Sequence, residues 1–242
     1  MKYKKAIFTV QHDEDFFLPL WIKYYSESFD FKDIYIVAHN TTEVTKNILM
    51  EAESIGINVE YIETNEIFNH DWLNAVVHQK QRDLLKIYDY VVFTDCDELI
   101  VPIGKTLNDF IDEGRYSAYR TFGYNVIEDK MYRDDRYDKT LISKIPLIYS
   151  YGYHTADIEF NVSEDLHLYH LHKLDHEEAW KRSLRLSQEQ WDKKAVDSDM
   201  SAQNRITDKE KFDFFFYEES PNQEPYSKEI EYVLKRIYKK DK

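Results

Sequence analysis

Tyr90-Val91-Val92-Phe93-Thr94-Asp95-Cys96-Asp97-Glu98-Leu99-Ile100-Val101-Pro102 is the stretch on which the reading of this chain turns. Its first four residues are apolar and β-favouring, which suits a strand buried on both faces. Carboxylates follow at the point where such a strand ends. In an extended segment, residues two apart point to one side, so Asp95 and Asp97 are expected to converge. Two carboxylates at one point repel each other unless a cation lies between them. Mg2+ and Mn2+ prefer oxygen ligands and keep positions open for phosphate oxygens. The plainer alternative is a set of turn residues capping a helix that begins near Leu107.

Working outward from this segment, the preceding residues alternate between two periods. Ala6–Val10 reads as a buried strand. Leu18, Trp21, Ile22, Tyr25 and Phe29 then recur at helical spacing, with Pro19 in the first turn. Ile34–Val37 is a second strand. Val44, Ile48, Ala52 and Ile55 form a second helical stripe that ends at Gly56. Val59–Ile62 is a third strand, and Leu73, Val77, Leu84 and Tyr88 mark a third helix. Strand and helix alternating in this way predict an α/β fold, Rossmann-like, with a mostly parallel sheet flanked by helices. Ligands of such sheets bind beyond the C-terminal ends of the strands, here after Val10, Val37 and Thr94.

From about residue 115 the pattern changes. Ile145–Ser150 and Leu166–His172 are the next predicted strands. Asp175-His176-Glu177-Glu178 has capping-box spacing and opens a helix carrying Trp180 and Leu184. We expect a catalytic domain over residues 1–186 and a C-terminal helical extension over 187–242 that packs on it.

Composition narrows the class. A net charge of −14 argues against nucleic acid as a partner, since phosphate backbones need a basic face. A single cysteine allows no internal disulfide and points to the reducing cytoplasm. The run Ala6–Val10 is too short for a signal-peptide core or a membrane span. Membrane contact is therefore expected to be peripheral at most, through the basic tail Lys235, Arg236, Lys239, Lys240 and Lys242. The 20 tyrosines suit a surface that is apolar yet hydrogen-bonding, and suit a core or rim equally.

Four histidines, His154, His167, His170 and His172, lie within 19 positions. On a strand, His170 and His172 share a face. Neutral imidazole ligates Mn2+-like ions. With no His-Glu-x-x-His and no second cysteine, a structural zinc site is not expected.

Phe93–Pro102, with its Asp-x-Asp-Glu, two apolar residues and proline, resembles the acidic segment of GT-A fold glycosyltransferases, most closely the inverting, family-two-like group. Val10-Gln11-His12-Asp13-Glu14 followed by Leu18, Trp21 and Ile22 is similar to that group's opening, although Leu20 stands where a second acidic residue is usual. His170-Leu171-His172-Lys173 resembles its closing step. The resemblance runs through roughly residues 6–186 in element order.

The resemblance implies sugar transfer from a nucleotide-sugar donor, with UDP-sugar favoured, to a glycan or other hydroxyl acceptor. It implies inversion and a Mn2+ or Mg2+ cofactor. It assigns Gln11, Asp13 and Glu14 to the nucleotide pocket, and His39 stands where the group has Asp. Lys80 and Arg82, on the helix before the acidic strand, either reach the diphosphate or are exposed helix-face charges, and Asp95 and Lys173 are expected on the donor. The metal falls to Asp95, Asp97 and a C-terminal histidine, His172 ahead of His170. His154 and Asp157 are the candidates for the base that takes the acceptor proton. Phe122, Tyr124 and Tyr153 are expected to stack on the acceptor sugar.

Two other classes fit parts of the sequence. A haloacid-dehalogenase-like phosphatase would use Asp95 as nucleophile. It wants Thr or Val where Leu99 stands, and a Gly-Asp pair, which the chain lacks. A non-catalytic carbohydrate-binding protein would need neither metal nor nucleotide.

Overall fold

A computed structural model of the chain describes residues 2–65, 69–158, 161–218 and 222–238. The first half alternates as expected. β1 (Lys5–Gln11), α1 (Phe17–Tyr25), β2 (Ile34–His39), α2 (Glu43–Ser54), β3 (Asn58–Ile62), α3 (His70–Leu84) and β4 (Tyr90–Phe93) follow one another. β5 (Glu98–Pro102), α4 (Leu107–Asp112), β6 (Ala118–Ile127), β7 (Lys130–Arg133), β8 (Thr140–Ser143) and β9 (Asn161–Lys173) come next. The chain then runs through α5 (His176–Ser187), α6 (Lys193–Asp197), α7 (Lys209–Asp213), β10 (Glu224–Pro225) and α8 (Lys228–Ile237).

Local chemistry accounts for the helix boundaries. Thr42, Asn69, Thr106, Asp175 and Ser227 each accept a backbone N–H of the helix they precede. Such caps satisfy amide donors that a helix start leaves unpaired. Gly56, at φ +97°, takes the left-handed conformation just beyond α2.

The strands form one sheet in the order β10-β7-β6-β8-β4-β1-β2-β3. β3, β2, β1 and β4 are mutually parallel, and β8 joins β4 antiparallel. β9 pairs with both β5 and β6, so it carries the second half of the sheet back toward the end of β4. The central strands are buried on both faces, with Ile7, Phe8, Val91, Val92 and Phe93 all at 0% exposure. This matches their continuous apolar run.

The predicted strand over Ile145–Ser150 is instead an irregular segment with a single bridge, Tyr149 to Ala156. Pro146 cannot donate to a ladder. α3 satisfies the neighbouring backbone instead. Leu147 N donates to Gln81 Oε1 at 2.8 Å and Tyr149 N donates to His78 Nε2 at 2.8 Å.

Residues beyond 186 share the core. Ile230, Val233, Leu234 and Ile237 of α8 belong to the main apolar cluster, and Phe212 and Phe216 pack with Ile127, Tyr132 and Ala179. No described helix is long and apolar enough to cross a membrane. Lys239, Lys240 and Lys242 of the basic tail lie outside the described residues.

Gly123 is the position where the chain passes most tightly. A Cβ there would lie 2.4 Å from the Tyr137 carbonyl carbon. Gly123→Ala is therefore expected to cost about 1–3 kcal/mol, read as a melting temperature several degrees lower. An unchanged melting temperature would show that the 134–138 turn does not press on β6.

Candidate functional site

The parallel strands β1, β2 and β4 end on one side of the sheet, and a cavity of about 400 Å3 opens there. Gln11, Glu14, His39, Asp95, Asp97, His154, His170, His172 and Lys173 all line it. The sequence-predicted residues that come together are thus drawn from five separate segments.

The acidic turn is braced from below by α1. Trp21 Nε1 donates to Thr94 Oγ1 at 2.7 Å, and Tyr24 OH donates to the Ile100 carbonyl at 2.6 Å. Tyr25 OH donates to the Glu98 carbonyl and accepts from Ile100 N. These aromatic residues fill the core with their rings and satisfy strand-end backbone with their polar tips.

Asp95 and Asp97 do not converge as an extended segment would have placed them. Residues 94–97 form a turn, closed by Glu98 N donating to the Asp95 carbonyl at 3.1 Å. The turn removes the two-residue periodicity on which that expectation rested. Asp95 faces Lys139, whose Nζ lies 3.2 Å from its Oδ2 and 2.5 Å from Glu98 Oε1. Burial pushes the Glu98 carboxyl up to about 7. Lys139 is held protonated by Glu98 and Asp95 against the burial that would lower it.

Asp97 meets the histidines instead. The register of β5 on β9 pairs Glu98 with His170, and Leu171 N donates to the Asp97 carbonyl at 2.7 Å. Asp97 Oδ2 is then 3.5 Å from His170 Nε2 and 3.8 Å from His172 Nδ1. The two imidazoles lie on one face of β9, their rings stacked with centroids 5.6 Å apart. His167 falls on the opposite face, against Phe122, Tyr124 and Tyr169.

The protonation of this trio follows from its partners. A guanidinium can only donate, and Arg182 Nη1 lies 3.2 Å from His172 Nδ1, so that nitrogen presents its lone pair. Burial also lowers the His172 pKa to about 4, which keeps the ring neutral. Burial alone would raise the Asp97 carboxyl; the basic groups around it, of which Arg182 is the permanently charged one, outweigh it and keep the group ionised. Among the described residues, Asp97, His170 and His172 form the one group of this kind, with ligand atoms within 4.8 Å of one another. Ligands at about 2.1 Å from a six-coordinate ion stand roughly 3.0–4.2 Å apart. The Asp97–histidine separations of 3.5 and 3.8 Å fit a divalent ion, which would take the place of Arg182 Nη1 on His172 Nδ1, and the mixed oxygen and nitrogen set suits Mn2+.

Several expected residues have other work. Asp13 does not line the cavity. Its carboxylate accepts from Thr42 N, Thr42 Oγ1 and Thr45 Oγ1, tying the β1 loop to the start of α2. Lys80 pairs with Glu60 at 2.8 Å, and Arg82 is exposed and donates to Gln79. Asp157 accepts from Ile148 N at 2.8 Å and holds the irregular segment closed. Phe122 is covered by the Arg133 guanidinium 3.7 Å above its ring, and neither it nor Tyr124 lines the cavity, whereas Tyr153 does.

Other residues at the site have no sequence signal. Arg182 reaches back 168 positions to Glu14, donating from Nε at 2.9 and 3.0 Å and from Nη2 at 2.7 Å. Lys139, Asn125, Arg136, Tyr137 and Asn204 also line the cavity. His154 is aimed inward by Gly152 and Tyr153, both at positive φ, and its Nδ1 bonds the Arg136 carbonyl. Burial is the largest of the effects that lower its pKa. Gln11 is 3% exposed; its Oε1 accepts from Glu14 N, while its Nε2 is buried without a partner at the cavity wall.

No protein-family model matches the chain, and no curated protein matches it. Among solved structures it is similar to TarS of S. aureus, at 15% identity over 88% of this chain and 45% of that one, with TM-score 0.45. It is also similar to glucosyl-3-phosphoglycerate synthase from Mycobacterium tuberculosis, solved with Mn2+, UDP-glucose and phosphoglyceric acid. That match has 13% identity over 50% and 44% of the two chains and TM-score 0.35. A third is the mannosyltransferase PcManGT from Pyrobaculum calidifontis with GDP-Man and Mn2+, at 13% identity over 50% and 36%, TM-score 0.37. The chain spans less than half the length of each of these. Likeness at this level bears on neither activity nor substrate, so the functional argument rests on the site itself.

Two outcomes test this geometry. Arg182→Leu strands the Glu14 carboxylate, whose side chain is 10% exposed, and is expected to cost about 3–5 kcal/mol. Adding Glu14→Leu should recover a measurable part in urea titration, and a cost below about 1 kcal/mol for the single change would remove the pair as a brace. Burial lowers His39 from 6.5 to about 4. The unfolded chain therefore binds the extra proton first, so this contribution to stability is full above pH 6.5 and declines as pH falls toward 4. His39→Gln should flatten the melting-temperature profile between those values, and an unchanged slope would deny the shift.

Proposed function

We propose that this protein is a glycosyltransferase that moves a sugar, a hexose in the simplest case, from a nucleotide-sugar donor to a hydroxyl acceptor. UDP-sugar is the favoured donor and a glycan the favoured acceptor. The observation that carries this reading is the meeting of Asp97 Oδ2, His170 Nε2 and His172 Nδ1 at one wall of a cavity that Arg136, Lys139, Lys173 and Arg182 also line. Mn2+ or Mg2+ held by these three residues would neutralise negative charge on a departing nucleoside diphosphate.

The chain's own residues supply the rest. Lys139, Lys173, Arg136 and Arg182 line the cavity beside Glu14, Asp95, Asp97 and Glu98, so a bound divalent ion would tip the local balance toward a diphosphate although the net charge of the protein is −14. In this reading Asp95 contacts the donor beside Lys139 and is not a metal ligand. Gln11 offers its unpartnered Nε2 to an acceptor atom of the nucleoside, with Glu14 and His39 shaping the same wall. His154 is the proposed base. Its Nδ1–H donates to the Arg136 carbonyl, which leaves Nε2 unprotonated to accept the acceptor hydroxyl proton. A single displacement with such a base inverts the anomeric centre. Asp13, Lys80, Arg82 and Asp157 have no part in the proposed site. The buried, unpaired Cys96 is in keeping with a cytoplasmic setting.

Arg182 favours a second reading. Its Nη2 lies 3.9 Å from Asp97 Oδ2, where it can serve as a resident cation in place of a metal.

One screen separates these. Melting temperature is measured with UDP, GDP, CDP, ADP and dTDP, each with and without Mn2+, for the wild type and Asp97→Ala. Ligand at 100 times its dissociation constant adds about 2.7 kcal/mol. A shift for one nucleotide that requires Mn2+ and vanishes in Asp97→Ala is the expected result. A shift indifferent to Mn2+ supports the Arg182 reading, and no shift with any nucleotide overturns the transferase proposal.

A further inference from the structure

Behind His170 runs a chain of hydrogen bonds that the reaction itself does not require. His170 Nδ1 lies 2.7 Å from Asn125 Oδ1. The other end of that amide, Asn125 Nδ2, donates to Asp134 Oδ2 at 2.7 Å. Asp134 accepts from Arg136 Nε at 2.9 Å and from Arg136 Nη2 at 2.7 Å. Asn125 and Asp134 are 5% and 7% exposed, so water does not substitute for these partners.

We propose that Asp134, acting through the Asn125 amide, sets the tautomer of His170 and so turns its Nε2 into a metal ligand. A carboxylate can only accept, so Asn125 must turn its NH2 toward Asp134. Its carbonyl oxygen then faces His170, and that oxygen can only accept, so the imidazole proton resides on Nδ1. In the neutral ring Nε2 then keeps its lone pair, 3.5 Å from the Asp97 carboxylate. Two acceptors at that separation repel unless a cation joins them. Asp134 is itself kept ionised, since the Arg136 donors outweigh the burial that would raise its carboxyl.

Three further features hold the relay in place. Tyr137 stacks on His170 with centroids 4.2 Å apart and planes 20° apart, which fixes the ring orientation. β6 and β9 pair Asn125 directly with His170. Asp134 N donates to the Gly123 carbonyl, anchoring the turn to β6. Asn125 and Asp134 are thus positioning residues that act through His170. Partners of this kind commonly change metal affinity by 10–100-fold.

The inference rests on the proposed metal site, and its test separates the two. Asp134→Asn is nearly isosteric. Two Arg136 donors that cannot turn over, N and Nε, face the Oδ1 position, so the new amide keeps its oxygen there and presents NH2 at the Oδ2 position to Asn125. Asn125 then turns over, offers NH2 to His170 Nδ1, and moves the imidazole proton to Nε2. The experiment compares 15N-histidine NMR of metal-free wild type and Asp134→Asn, with His170 assigned from a His170→Gln spectrum, and then titrates each with Mn2+.

We expect His170 as the Nδ1–H tautomer in the wild type and Nε2–H in Asp134→Asn, with Mn2+ binding weakened 10–100-fold in the variant. Wild-type His170 found as Nε2–H or as imidazolium overturns the relay, as does an unchanged tautomer in a folded Asp134→Asn. Should Asp134→Asn fail to fold, Asn125→Leu removes the acceptor instead, and retention of the Nδ1–H tautomer and of wild-type Mn2+ affinity in it overturns the relay. A wild type with the expected tautomer but no affinity for Mn2+ supports the relay while removing the metal reading.

Discussion

Three carboxylates within four residues, Asp95, Asp97 and Glu98, stand where a buried strand ends, and they persist only because positive charge is brought to them from far along the chain. Lys139 arrives from the segment before β8 and lies against Asp95 and Glu98. Arg182 arrives from α5 and lies between Glu14 and Asp97. Removing either cation would leave an ionised group buried without a partner, a far larger penalty than the pair gains when complete. The packing of the second half of the fold onto the first is thus tied to the charge balance at one point.

β9 is the element through which that balance becomes a site. It is shared by β5 and β6, so its residues His167–His170 have a neighbour on both sides. Glu98 flanks His170 on one side and Asn125 on the other. A slip of one residue in this register would turn His170 and His172 away from Asp97 and bring Leu171 in their place. The backbone bond from Leu171 N to the Asp97 carbonyl helps to pin that register.

The aromatic richness of the chain finds its explanation in bracing. Tyr24, Tyr25 and Trp21 fasten the acidic turn, and Tyr149, bonded by Gln81, fastens the segment that presents His154. Each ring buries apolar area while its polar tip satisfies a backbone or side-chain group that a leucine would leave unpaired.

The sequence by itself determined the elements whose formation depends on local pattern. The four parallel strands and three helices of the first half follow from apolar runs and helical periodicity, and the start of α5 follows from Asp175. The shared face of His170 and His172 follows from strand alternation. Only the tertiary structure decided which carboxylate meets them. The turn at 94–97 sends Asp95 toward Lys139 and Asp97 toward the histidines, and no spacing rule encodes a turn held by Glu98, Trp21 and Tyr25. The same holds for Arg182, Lys139, Asn125 and Asp134. Their roles come from contacts between residues distant in sequence, and a lone Arg, Lys or Asn carries no periodic signature. Asp13, Lys80, Arg82 and Asp157 show the converse. Their charge and position along the chain suggested ligand contact, while hydrogen bonds to nearby elements and, for Lys80, an ion pair with Glu60 took up their side chains once the elements packed.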